Sequence, residues 1–311
     1  MSSLREVKDR IASVRSTLKI TSAMKLVASS KLRRAQRSIE ALRPYEQTLT
    51  EILEAASGFT TPDFSHLRGH GRPLSSEEYP ASVTPAAPII ILAVSSNSSM
   101  CGAFNANVLK KALELGVSYG KHAEFWAFGR KMAEGLRKSG FAPVRDYSAM
   151  MGRPEFAPAA EIAAELRESL ASGTIGGAIL VYNHFVSTGR QEVVVEQYLS
   201  AAASEVGSEG PKSFGTLSDA AAEEDAGDEL FILEPSRGEL LASLMPQVLD
   251  LRLYAALLDS SAAEHAARMV AMQAASDNAE SLLGDLTLEY NKGRQQKITS
   301  EILDLVAGGA D

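Results

Sequence analysis

The sequence predicts an α/β protein. Its two ends form a long antiparallel coiled coil, and a mainly parallel sheet domain lies between them. Three observations carry that expectation. Residues 3–56 hold a hydrophobic repeat of alternating threes and fours, and residues 237–307 hold a matching one. Between them, short apolar strands alternate with helical segments. Two stretches of loop composition, 58–88 and 201–229, interrupt the chain.

The N-terminal repeat runs through Leu4, Val7, Ile11, Val14, Leu18, Thr21, Lys25, Ala28, Leu32, Ala35, Ile39 and Leu42, and ten of these twelve positions are apolar. A mean spacing of 3.5 residues is the seam of a coiled coil. Ser2 or Ser3 can cap the helix, and Glu6 completes a capping box with Ser3. Pro44 marks an expected kink and Gly58 an expected end. The two seam exceptions, Thr21 and Lys25, fall together. Beside them Ile20, Met24 and Val27 make a second apolar face. That face reads either as a register shift or as an outward contact surface for a partner.

Residues 58–88 are rich in Pro, Gly, Ser and His without a period, so a surface loop or insertion is expected. His66 and His70 have the spacing of helical metal ligands, but Gly69, Gly71 and Pro73 speak against a helix there. Ile89–Val94 is a continuous apolar run, as in a strand covered on both faces. A polar loop, Ser95 to Gly102, leads into a helix reaching about Tyr119. A strand at Ala123–Phe128, helices at Arg130–Ser139 and Glu161–Ala171, and a buried strand at Gly177–Asn183 follow. Gln191–Tyr198 alternates and reads as a more exposed strand. The sum is a Rossmann-like α/β domain, mainly parallel, with helices on both faces. Residues 201–229 read as an acidic insertion, and Leu230–Glu234 as a last short strand.

The C-terminal seam runs through Leu241, Leu244, Val248, Leu251, Ala255, Leu258, Ala262, His265, Met269, Met272, Ser276, Ala279, Leu283, Leu286 and Tyr290, with thirteen of fifteen apolar or aromatic. Pro235 opens the return, and Pro246 is expected at a second helix start after a bend. The divisions are therefore 1–57 for the first coiled-coil helix, 58–88 for an insertion, 89–235 for the α/β domain and 236–311 for the second helix. Two such seams satisfy each other as an antiparallel pair, left-handed because the repeat is below 3.6. Roughly sixty residues at 1.5 Å each make a rod about 90 Å long. That exceeds what packing a domain requires, so the rod is a mechanical or spacing element, or crosses something. The many alanines between Ala255 and Ala279 keep the second helix slim enough to stand in another protein's channel, although alanine's helix propensity alone also accounts for them.

Composition narrows the function further. No run of about twenty apolar residues exists to span a membrane. Arg5, Lys8 and Arg10 break any secretion-signal core, and the seam begins at Leu4 where a transit peptide would stand. One cysteine, Cys101, excludes an intramolecular disulfide and a multi-cysteine zinc site. A cytoplasmic compartment, and a bacterial one, is the expectation. The net charge of −8 hides an asymmetry, because residues 1–43 carry eleven Lys/Arg against three Asp/Glu. A basic helix in an acidic protein reads as a solvated face, or as a site for nucleic acid, anionic membrane or an acidic partner. Nucleic acid is disfavoured, since no aromatic residue precedes Tyr45 to stack on bases.

No catalytic constellation emerges, and no cofactor or metal site. There is no G-x-G-x-x-G after Ile89–Val94. The segment from Gly116 to His122 imitates a phosphate loop but is one residue short, ends in His and precedes a strand. Ser22-Ala-Met-Lys25 matches S-x-x-K, but on a coiled-coil helix without a pocket. Cys101 could be activated at a helix start, but a small packed residue is the better account. His184 and His265 read as structural.

The ends carry a resemblance. Lys8 to Ala28, followed by Lys31-Leu-Arg-Arg-Ala-Gln36, resembles the N-terminal signature of the ATP synthase gamma subunit family. Glu264 to Met272, Asp277-Asn-Ala279, Leu286 to Gln295 and Ile298 to Ile302 resemble its C-terminal one. Met100-Cys-Gly-Ala-Phe-Asn105 is similar to the family's Leu-Cys-Gly-Gly-x-Asn segment. Asn97-Ser-Ser99 stands where the family usually has Asp-x-Gly, and the insertions at 58–88 and 201–229 look larger than usual.

The resemblance implies a non-catalytic rotor shaft with no active site of its own. Its coiled coil would stand in a ring of three alpha and three beta subunits. Its α/β foot would hold the epsilon subunit and the membrane c-ring, so proton flow turns the shaft and drives ATP synthesis at the beta sites. Location would be peripheral, at the cytoplasmic face of the bacterial inner membrane, with membrane contact only through the c-ring and no nucleic acid bound. By resemblance, Met24 and Lys25 face an acidic lever of a beta subunit. Arg268, Arg294, Gln295 and Thr299 pair with alpha and beta loops. Ile302, Leu305 and Val306 sit in an apolar bearing. The alternatives are a free-standing α/β nucleotide-binding protein and a coiled-coil adaptor.

Overall fold

The computed structural model describes residues 4–57, 87–200 and 236–308. In chain order these form α1 (Leu4–Ser57), β1 (Ile89–Val94), α2 (Phe104–Tyr119), β2 (Ala123–Phe128), α3 (Arg130–Lys138), the two-residue β3 (Arg145–Asp146), α4 (Phe156–Ala171), β4 (Gly177–Ser187), β5 (Arg190–Ser200) and α5 (Arg237–Gly308). His66 and His70, the acidic segment 201–229 and the strand expected at 230–234 lie outside the described residues.

α1 and α5 are the two halves of the rod. Val7, Thr21, Ala28, Leu32 and Ala35 are buried along the α1 seam, as is Leu49 one heptad beyond Leu42. Val248, Leu251, Leu258, Ala262, Met272, Ser276, Ala279 and Leu286 are buried on α5. The pairing is antiparallel in a uniform register. Leu49 packs with Val248 and Leu251, Leu32 and Ala35 pack with Ala262 and Ala266, and Thr21 meets Ser276. At the far end Leu4 closes on Gly293, where a Cβ would stand 3.1 Å from its side chain.

The seam exceptions are cross-helix polar pairs. The Thr21 and Ser276 hydroxyls are 2.8 Å apart, and Lys25 Nζ donates to Gln273 Oε1 at 2.5 Å. The register therefore continues through both positions without a shift, and Ile20 and Val27 are left 60% and 56% exposed. Thr21→Val alone orphans the buried Ser276 hydroxyl, and we expect a loss of about 1 kcal/mol. The double variant with Ser276→Ala should recover most of it in a denaturant titration of the full chain.

Pro246 corrects an expectation. It does not begin a second helix after a bend; α5 runs unbroken from Arg237 with Pro246 inside it. Proline cannot donate to the Ala242 carbonyl, which weakens the helix locally. Tertiary contacts hold it straight through: Val248 and Leu251 pack on Leu49, and the Pro246 carbonyl accepts from Arg167 Nη1 at 3.3 Å. α1 likewise continues through Pro44. α4 starts at Phe156, earlier than Glu161, because Pro158 falls in the first turn, where its missing N–H costs nothing.

The sheet has the order β3-β2-β1-β4-β5. β1, β2, β3 and β4 run parallel, and β5 returns antiparallel along β4 as an edge strand. Alternation sends Ile91, Ala93, Phe125, Ala127, Ile179 and Val181 to one face, against α2 and α3. Ile90, Leu92, Val94, Trp126, Phe128 and Leu180 go to the other face. There α4 covers part of the sheet, and Leu253, Ala256 and Leu257 of α5 cover the rest. The rod's second helix is thus also a layer of the sheet domain. Among the described residues, no helix is long and apolar enough to cross a membrane.

Candidate functional site

Several polar side chains that break the apolar run of α5 face the sheet domain and find partners there. Asp250 forms an ion pair with Arg167 of α4. At the preceding residue, Tyr198 Oη donates to the Leu249 carbonyl at 2.9 Å. Arg252 Nη2 donates to Glu196 Oε2 at 3.2 Å, and Tyr182 Oη donates to Glu196 Oε1 at 2.9 Å. Asp259 lies 2.5 Å from His184 Nδ1 and accepts the Phe185 amide at 3.1 Å. Arg268 pairs with Glu264 at 2.5 Å and donates to Ser98 Oγ at 2.7 Å and the Ser99 carbonyl at 3.2 Å. From residue 246 to 268 these links span about 33 Å of helix.

Burial makes the links strong. Glu196 is only 2% exposed, so its carboxylate depends on Arg252 and Tyr182 in place of water. Burial and the adjacent Glu196 push the Tyr182 hydroxyl far above the usual phenol range, so it stays a donor. Burial raises Glu264, against which Arg268 pulls it down. His265 is pushed down to about 4 by burial and by Lys31 and Arg268, so it sits neutral at the seam. Apolar contact is non-directional. Hydrogen-bonded charges have fixed partners, so they set the rotation and height of α5 against the sheet.

The loop after β1 completes the joint. Ser95 Oγ accepts the Met132 amide at 2.8 Å, and Asn97 bridges the Arg130 amide and the Ser148 carbonyl. Gly129, at φ +103, passes so close that a Cβ would meet the Ser95 carbonyl oxygen at 2.3 Å. Cys101 is buried with Phe104, Ala263 and Ala267, and Asn105 Nδ2 donates to its sulfur at 3.1 Å. Burial raises the thiol's pKa, which fits a packed residue and not a nucleophile. This loop leaves the carboxyl end of β1 at the point where the chain switches sides, the crevice in which open α/β sheets hold ligands. Arg268, Ala263 and Ala267 of the rod occupy it. Among the described residues no group of His, Cys, Asp or Glu could hold a metal.

The residues expected to meet partners do not converge on one pocket. Met24 and Lys25 are half-buried beside Gln273. Arg294, Gln295 and Thr299 are exposed, and the Thr299 hydroxyl donates to the Gln295 carbonyl at 2.9 Å. Ile302 is 54% exposed. Leu305 lies in the last turns of α5, where the side chains are outside the described residues. Arg268 stands apart from this set, at the joint, with its guanidinium on Glu264, Ser98 and Ser99. Residues 294–308 extend past Leu4, so no described α1 residue lies opposite them. Reading the sequence did not single out Arg167, Glu196, Asp250, Arg252 or Asp259. The available signal was the acidic and basic positions of α5 off its seam.

Comparison with known proteins follows the same outline. A family model described as ATP synthase matches residues 3–310. The ATP synthase gamma chain of Bacteroides fragilis is 42% identical over 99% of this chain and 99% of its own length. That of Geotalea uraniireducens is 35% identical over 99% and 98%. Among solved structures, the rotor of Euglena gracilis mitochondrial ATP synthase matches with a TM-score of 0.62 at 18% identity, over 95% of this chain and 98% of that one. The central stalk/c-ring structure of Tetrahymena thermophila mitochondrial ATP synthase matches at 0.53 and 21% identity, over 83% and 99%. At such identities these structures bear on the fold alone.

Proposed function

We infer a rotor from one premise: the chain belongs to the ATP synthase gamma-chain family. It is the central-stalk subunit, coupling proton translocation through a c-ring to ATP synthesis or hydrolysis at beta-subunit sites. It works inside a ring of three alpha and three beta subunits and carries an epsilon subunit at its foot. It has no active site of its own, and it sits peripherally at the cytoplasmic face of a bacterial inner membrane. Residues 1–57 and 236–311 form the shaft and 89–235 the foot, with 58–88 and 201–229 as insertions.

The observation that carries this reading is the joint. A shaft that transmits torque must not turn or slide in its foot. α5 is both half of the rod and a layer of the sheet domain, pinned to it by charged groups from Asp250 to Arg268. The ligand crevice of the foot is filled by the shaft, which speaks against a nucleotide enzyme.

Within this proposal Met24 and Lys25 face a beta subunit's acidic lever. Arg294, Gln295 and Thr299 meet alpha and beta loops; Arg is suited because its fork clamps carboxylates at two points. Ile302 and Leu305 enter the apolar bearing of the ring. Arg268 joins them only with the edge that Glu264, Ser98 and Ser99 leave uncovered.

The test is assembly with the native alpha and beta subunits. One copy per ring, with ATPase activity, supports the rotor; a chain that stays alone, or that binds ATP by itself, overturns it. Arg294→Ala separates coupling from folding. The site is exposed, so we expect its stability to stay within about 0.5 kcal/mol of the parent. ATP synthesis in the assembled enzyme should fall, and unchanged synthesis would count against the contact.

A further inference from the structure

We propose that the His184–Asp259 contact is a pH-sensitive latch of the joint, closed while His184 carries a proton and loosened when it does not. The mechanical consequence rests on the rotor reading, whereas the latch itself needs only β4 and α5.

Two neighbouring groups of β4 take both oxygens of one α5 carboxylate. His184 Nδ1 lies 2.5 Å from Asp259 Oδ2, and the Phe185 amide donates to Oδ1 at 3.1 Å. The side chains are 22% and 18% exposed, so water screens them only in part. The charges that act most strongly on His184 are acidic. From β5, Glu192 stands directly across the ladder from His184, and Glu196 lies four residues further along the strand, beyond Val194. Each has its own arginine, Arg190 for Glu192 and Arg252 for Glu196. From α1, Leu32, Ala35 and Ile39 belong to the cluster on which neighbouring Phe185 packs, and the charges on the same stretch of that helix are Arg33, Arg34, Arg37 and Glu40. Among the described residues the cation that meets Asp259 is His184.

The chemistry sets the direction. A hydrogen bond from imidazolium to carboxylate is charge-assisted, and about twice as strong as one between neutral groups. Proton loss leaves Asp259 in its shielded site facing the Phe185 amide and a neutral ring. The bond to Asp259 first, and the Asp259, Glu192 and Glu196 charges after it, hold the His184 pKa above its ordinary value against the pull of burial. A raised folded-state pKa adds stability that is fully present below the ordinary histidine value of about 6.5. It is lost as pH climbs through the raised value. The latch thus opens on the alkaline side of ordinary histidine titration.

Amide exchange at Phe185 reads the latch. It is measured on the full-length chain, alone and assembled with alpha and beta subunits, between pH 6 and pH 9, and corrected for the intrinsic pH dependence of exchange. We expect parent protection to fall roughly tenfold across that range, the size expected when a charge-assisted hydrogen bond loses one of its two ionised partners. His184→Gln, neutral throughout, should show low and flat protection. Asp259→Asn should be flat as well, which keeps the test open if one variant folds poorly. A parent profile without slope, or the same slope in the parent and both variants, overturns the latch. Failure to assemble overturns the rotor reading instead, and the exchange profile of the chain alone still decides the latch.

Discussion

Arg252→Ala should be among the most damaging single changes in the chain, costing about 3–5 kcal/mol, the range for removing one member of a buried ion pair. Arg252 is the cation that meets Glu196, a carboxylate 2% exposed and otherwise held by the Tyr182 hydroxyl. Without the guanidinium that carboxylate must take up a proton, or drag water into the layer between β5 and α5. Either outcome loosens α5 where it covers the sheet at Leu253, Ala256 and Leu257. Chemical denaturation of the full chain checks the size. Glu196→Gln in the same background should restore part of the loss, because it removes the stranded charge while keeping an acceptor for Tyr182. A double variant no better than the single one would mean that packing, and not charge, carries the cost.

Ala263→Phe should separate folding from coupling. Ala263 is fully buried against Cys101 and Phe104, at the contact between α5 and the loop after β1. A phenyl ring has no space there, and overpacking of this kind typically costs about 1–3 kcal/mol. The coiled coil above this level keeps its register through Thr21 and Ser276, so the rod should still enter a ring. The foot, pried off the shaft, should follow it poorly. The expected result is an assembled enzyme whose ATP hydrolysis continues while ATP-driven proton pumping falls. Loss of both activities together, with the subunits still assembled, would contradict the role given to this contact.

How much of this was legible in the sequence depends on the range of each interaction. The seams were legible because a 3.5-residue repeat is local, and even Thr21 and Lys25 kept their places in it. β1, β2 and β4 were legible from their apolar runs and β5 from its alternation, whereas the two polar residues of β3, Arg145 and Asp146, gave no signal. Pro246 was misread because its local preference lost to contacts made by Leu49 and Arg167, which are far away in sequence. The second role of α5 was hidden for a related reason. Leu253 and Leu257 lie off the seam, and a helix amphipathic toward two partners shows a blurred period. The joint was not legible at all, since Glu196 with Arg252 and His184 with Asp259 are pairings that only the fold creates. Arg268 has partners within the chain that the resemblance did not indicate. It was expected among outward contacts, and its guanidinium lies on Glu264, Ser98 and Ser99. Met24, Lys25, Arg294, Gln295, Thr299, Ile302 and Leu305 stay proposals about surfaces that only partners complete.

The register that ends at Leu4 and Gly293 divides the shaft into two kinds of beam. Below that level two helices share the load, and resistance to twisting climbs steeply with cross-section. Above it α5 continues for about 22 Å with no described residue of α1 beside it, thinner and more easily twisted toward its end but well shaped to keep the axis centred. Work should therefore be drawn off up to the level of Arg294, Gln295 and Thr299, with the turns beyond them acting as a spindle, and lengthening or trimming those last turns should alter wobble before it alters power.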